Sequence, residues 1–127
     1  MGDQVNFCVP SGNFGNCLAG WFAKNMGLPV NKFITASNKN NILTDFFTTG
    51  KYDANREFFK TNAPAMDILV SSNLERLVWY MSGKDGDKVK EYMEKIKKQM
   101  VFIESWWWNI CTVFKINLKQ DYLNERR

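Results

Sequence analysis

The residues with the clearest chemical potential form one short run, Val9-Pro10-Ser11-Gly12-Asn13-Phe14-Gly15-Asn16. Two glycines set among small polar residues let main-chain N–H groups converge on one point without obstruction by Cβ atoms. Where a helix follows, its first N–H groups are unpaired and its dipole places partial positive charge there, so the loop can hold a phosphate without a cationic side chain. The composition suits that device, because neither lysine nor arginine occurs before Lys24. Gly12, Asn13, Phe14, Gly15 and Asn16 are therefore the candidate anion-binding residues. The run is not a P-loop, which needs Gly-Lys-Ser/Thr, and it does not spell the GxGxxG of dinucleotide sites. Taken alone, the same residue types also make plain strand-to-helix connectors.

Other chemistry is thinly represented. Histidine is absent, and the three cysteines (Cys8, Cys17, Cys111) are widely spaced. This argues against an imidazole base, a Cys/His zinc site and a disulfide framework, so no metal ligands are expected. Cys17 reads as a small buried side chain. Ser37, Asn38 and Asn41 follow a predicted strand, on the side of an open α/β sheet where ligands sit, which makes them candidates for the substrate side of the site. A turn that caps the next helix is the competing reading. Asp67 and Glu75 receive no role, and Lys60 and Lys115 read as surface lysines.

The elements that must position these residues follow from local pattern. Val5–Val9 reads as a buried strand, and Leu18, Phe22 and Met26 recur at helical spacing from Cys17 to Met26. Asn16 is placed to cap that helix, while Gly27 and Pro29 supply stop signals. Lys32–Ala36 predicts a second strand, and Ser37–Asn41 a polar loop opening a helix through Phe47. A helix between two such strands implies a crossover in a parallel sheet. Residues 50–64 read as irregular or partly helical, Asp67–Val70 as a third strand and Asn73–Met81 as a third helix. After the break at Ser82–Gly86, Val89, Met93, Ile96 and Met100 share one face of a lysine-rich helix, the pattern of a solvated helix with one packed stripe. Ile110–Ile116 predicts a strand.

A chain of 127 residues, 45% apolar and 24% charged, has the balance of one ordinary globular domain. The expected organisation is a phosphate-loop α/β domain over residues 1–83, with a basic helix and aromatic tail over 84–127 packed on it. The net charge of +4 lies mostly in that tail, and the front of the chain lacks the basic, aromatic-interleaved face of a nucleic-acid binder. No stretch is long and apolar enough to span a membrane, and Met-Gly-Asp-Gln does not begin an export signal. A cytoplasmic protein is expected. The run Trp106–Trp108 suggests packing against another chain, as a homo-oligomer or with the remainder of a larger enzyme.

Several separated segments, in this order, resemble the threonine synthases, pyridoxal-phosphate enzymes of tryptophan-synthase-β-like fold. They are Val9–Asn16, Ala36-Ser37-Asn38 with Asn41, Leu43-Thr44-Asp45-Phe46-Phe47, Met66-Asp67-Ile68 and Ser72-Asn73-Leu74-Glu75-Arg76, and the resemblance covers about residues 3 to 98. It implies an α/β fold, a three-layer open sheet, mostly parallel and flanked by helices, forming part of such a domain. It also implies that Gly12, Asn13, Phe14, Gly15 and Asn16 hold the phosphate of pyridoxal phosphate, making a phosphate-bearing small molecule the expected partner. The family converts O-phosphohomoserine and water to threonine and phosphate, with a Schiff-base lysine in a Phe-Lys-Asp context upstream of this loop. Phe-Lys-Asp does not occur in this sequence. The expectation is a fragment of the enzyme that is inactive alone; the alternative is a noncatalytic module that binds a phosphate ligand or a protein. No counterpart is expected for residues beyond about 99.

Overall fold

The structure is a computed structural model that describes residues 3–98, 101–102 and 114–115, with the side-chain surroundings of residues 3–96. Strand β1 (Val5–Pro10) leads into helix α1 (Gly15–Asn25), then β2 (Val30–Ala36), α2 (Ile42–Thr49), the two-residue strand β3 (Lys51–Tyr52), α3 (Leu74–Met81) and α4 (Gly86–Lys98). Short strands β4 (Val101–Phe102) and β5 (Phe114–Lys115) follow. β1 and β2 pair in parallel, with Phe7 opposite Phe33 and Val9 opposite Thr35, so α1 is the crossover that the spacing predicts. β5 adds to the other side of β2, also in parallel, to give the order β1-β2-β5. β3 and β4 form a separate antiparallel pair. The architecture is a parallel sheet flanked by helices.

One core serves the four α-helices among the described residues. Phe14, Cys17, Leu18, Phe33, Ile42, Leu43, Phe46, Phe47, Tyr52, Leu74, Leu77, Val78, Val89 and Ile96 are buried together. Gly20 explains how closely α1 lies on the sheet, since a Cβ there would stand 2.5 Å from the ring of Phe33. Val89 and Ile96 bring the packed stripe of α4 into the same core, with Met93 partly buried against it. Met100, Trp106–Trp108 and most of Ile110–Ile116 lie outside the described residues.

Three local expectations are corrected. β1 is not buried: Val5 is 44% and Phe7 41% exposed, because α1 seats on β2 and β1 pairs with β2 alone among the described residues. Asp67–Val70 is not a strand but an irregular segment after the 3-10 turn Pro64–Met66. Its groups bond elsewhere, the Asp67 carboxylate to Thr61, Asn38 and Asn40 and the Leu69 carbonyl to the Tyr52 hydroxyl, and such side-chain bonds compete with a ladder. Asn16 does not cap α1. The helix begins at Gly15, its cap position is Phe14, and Asn16 lies exposed in the first turn.

Candidate phosphate-binding loop

The loop is built from β1 outward. β1 ends at Pro10, and Ser11 donates its N–H to the Ala36 carbonyl at 3.1 Å, which extends the register with β2 by one residue. The Ser11 hydroxyl then accepts the Phe14 N–H at 2.9 Å and closes a tight turn. Phe14 takes a left-handed backbone with φ 64°, unusual for a bulky residue. Its ring is fully buried and meets the Phe47 ring at 5.4 Å between centroids, which holds the turn in place. Leu18 donates to the Phe14 carbonyl, so the helical ladder starts there.

Main-chain donors are left over as a result. Among the described residues, the N–H groups of Gly12, Asn13, Gly15 and Asn16 enter no hydrogen bond, whereas that of Phe14 is consumed by Ser11. Four unpaired donors within five residues at the start of a helix are the kind of donor set that an anion site requires. Gly12 is required sterically: a Cβ would stand 2.8 Å from the Met66 carbonyl oxygen. Gly15 faces Asn73, whose Nδ2 lies 3.3 Å from the corresponding Cβ position. The Asn13 Oδ1 is occupied, accepting both the N–H and the hydroxyl of Ser72, at 2.8 and 2.9 Å. The loop therefore rests on the segment from Met66 to Asn73.

The substrate-side candidates lie on the neighbouring loop after β2, and their side chains are engaged. Ser37 Oγ accepts from the Thr44 hydroxyl at 3.1 Å. Asn38 donates to Asp67 at 2.7 Å and to Thr61 at 3.1 Å. Asn41 occupies the cap position of α2 without a side-chain cap bond, and its Oδ1 accepts from Arg56, which also pairs with Asp45 at 2.7 Å. Asp67, which sequence reading left without a role, is the hub. Its carboxylate accepts from the Thr61 N–H, the Thr61 hydroxyl, Asn38 and Asn40. The Thr61 N–H above all holds this carboxyl below its ordinary range, and the hydroxyl and amide donors add to the effect. Ser11, Met66, Asp67, Ser72 and Asn73 are the structural residues that pattern reading missed as a group. In the sequence they belong to the separated segments Val9–Asn16, Met66-Asp67-Ile68 and Ser72–Arg76, with nothing local to show that the fold joins them.

Burial drives the Cys17 thiol up to about 11, which fits the reading of a buried small side chain. Among the described residues no group of three or more His, Cys, Asp or Glu could hold a metal ion, and no helix is long and apolar enough to cross a membrane.

The fold and the loop define a class, a parallel α/β segment whose first strand-to-helix turn leaves main-chain donors unpaired. No family model matches the chain. Threonine synthase-like 1 from Macaca fascicularis is 45% identical over 124 residues, covering 97% of this chain and 16% of the relative. Threonine synthase from Saccharomyces cerevisiae is 51% identical over 90 residues, 68% of this chain and 18% of the enzyme. In structure, pyridoxal-phosphate-bound threonine synthase from Brucella melitensis superposes with a TM-score of 0.84 at 38% identity, over 91% of this chain and 25% of that one. The yeast enzyme gives 0.82 over 90%. The matched segment is of the threonine synthase family. It spans 16% and 18% of the length of the two curated relatives, and the first similarity extends past residue 98 into the tail, for which no counterpart was expected.

Proposed function

We propose that Gly12–Asn16 holds the phosphate of pyridoxal phosphate and that this chain is the cofactor-phosphate segment of a threonine synthase. The observation that carries the reading is the set of unused N–H groups at Gly12, Asn13, Gly15 and Asn16, gathered at the start of α1. In this assignment those four donors bind the phosphate, Ser11 and the buried Phe14 ring fix their directions, and the backbone behind Gly12 sets the depth of the site. Ser37, Asn38 and Asn41 form the adjoining wall, facing the substrate through the shape of their loop, since their side chains are tied to Thr44, Asp67 and Arg56. Bound pyridoxal phosphate supplies the electron sink for conversion of O-phosphohomoserine and water to threonine and phosphate. The lysine this reaction requires comes, in this proposal, from polypeptide outside these 127 residues. The exposed edge of β1 is where the remainder of the enzyme, or a second copy, completes the sheet.

Titration of the ¹⁵N-labelled chain with inorganic phosphate tests the site. The Gly12 and Gly15 amide resonances shift saturably, Asn16→Ala retains most of the binding because the donors are main-chain groups, and Gly12→Val abolishes it through collision with Met66. Shifts confined to lysine-rich α4, with Gly12 and Gly15 unmoved, would sink the assignment.

A further inference from the structure

The loop contains no cation, and sequence reading assigned its affinity wholly to the main chain. The fold nevertheless brings one guanidinium to it. Ser72 bonds Asn13 twice, which draws the start of α3 against the loop. The next residue, Asn73, places Nδ2 and Cγ at 3.3 and 3.9 Å from the Cβ position of Gly15. The other end of that amide, Oδ1, accepts a 2.7 Å hydrogen bond from Arg76 Nη1. Gly15, Asn73 and Arg76 thus form a relay in which the amide holds the guanidinium beside the loop. Arg76 is exposed and forms no salt bridge among the described residues, whereas Arg56, Lys88 and Lys95 each pair with a carboxylate. Glu75 forms no salt bridge with it among the described residues.

We infer that Arg76, held by Asn73 beside Gly15, is a specificity-determining cation that favours a doubly charged phosphate over singly charged anions at the Gly12–Asn16 loop. The inference rests on the phosphate-site reading above. Main-chain donors bind mono- and dianions through similar hydrogen bonds, but a fixed positive charge several ångströms away interacts in proportion to ligand charge. Because the guanidinium is exposed, its contribution falls as salt is added.

The test is the same amide titration of the full 127-residue chain with inorganic phosphate at about pH 8, where the dianion dominates, at low salt and at about 0.3 M potassium chloride. Arg76→Gln is expected to weaken binding about three- to tenfold at low salt, with the difference largely gone at high salt. Arg76→Lys, which keeps the charge, stays within about twofold of the parent. Equal affinities for parent and Arg76→Gln at both salts, while Gly12→Val still abolishes binding, would overturn the inference and leave the phosphate site standing. Equal losses in both Arg76 variants, unchanged by salt, would show a purely structural role and also overturn it. Absence of any saturable shift at Gly12 and Gly15 in the parent removes the site and the inference together.

Discussion

Asp67 ties the loop after β2 to the segment that backs Gly12. Its carboxylate gathers four donors from two segments, and its neighbour Met66 forms the back wall of Gly12. Since the folded carboxyl titrates below its ordinary range, its stabilising contribution is complete above that range and is lost as pH falls toward the folded value. Asp67→Asn should therefore melt at a lower temperature than the parent at neutral pH, with the gap narrowing near pH 3. Thermal unfolding at the two pH values checks this, and a gap that stays constant would separate the effect from titration. The cysteines give an independent check. Cys8 is exposed and Cys17 buried, so iodoacetamide should modify Cys8 and spare Cys17 in the folded chain near pH 8, as read by peptide mass. The raised Cys17 thiol has the opposite linkage: the folded state retains a proton that the unfolded chain releases from about pH 9, so Cys17 lowers stability progressively between there and about 11.

Among the elements, the contact between α1 and β2 is the most exacting. Alanine at position 20 would favour the helix by about 1 kcal/mol over glycine, yet its Cβ would collide with a Phe33 ring that is only 2% exposed. The steric effect should win. Gly20→Ala is expected to destabilise the chain by about 1–3 kcal/mol, and Phe33→Leu should recover part of that loss in the double variant; denaturant unfolding measures both. This close contact was invisible in the sequence, where Gly20 read as an ordinary helical position. The strand-helix-strand unit was legible because Leu18, Phe22 and the glycine and proline stops agree with one another. Asp67–Val70 was misread because a short apolar run has no period to separate a strand from a segment pinned by side-chain bonds. The loop residues were legible individually, but their support by Ser72 and Asn73 depends on a tertiary contact that no local pattern records.

At the scale of the whole molecule, the chain corresponds to a quarter or less of the threonine synthases it resembles. The purified 127-residue chain should therefore release threonine from O-phosphohomoserine with pyridoxal phosphate only at the background rate, since a phosphate grip without an aligned lysine leaves the proton transfers unassisted. Amino-acid analysis against a protein-free control decides this, and turnover above that control would refute the proposed division of labour. The sheet register carries a further consequence. β1 and β2 meet after one short crossover, but Phe33 meets Phe114 only once most of the chain has been drawn in. Pairing of distant segments must bear the entropy of closing the long loop before any contact rewards it. Refolding should accordingly be biphasic in order, with amides of β1 and β2 protected from hydrogen exchange ahead of those of β5. During synthesis on the ribosome, the loop from Gly12 to Asn16 would then take shape before β5 has left the exit tunnel.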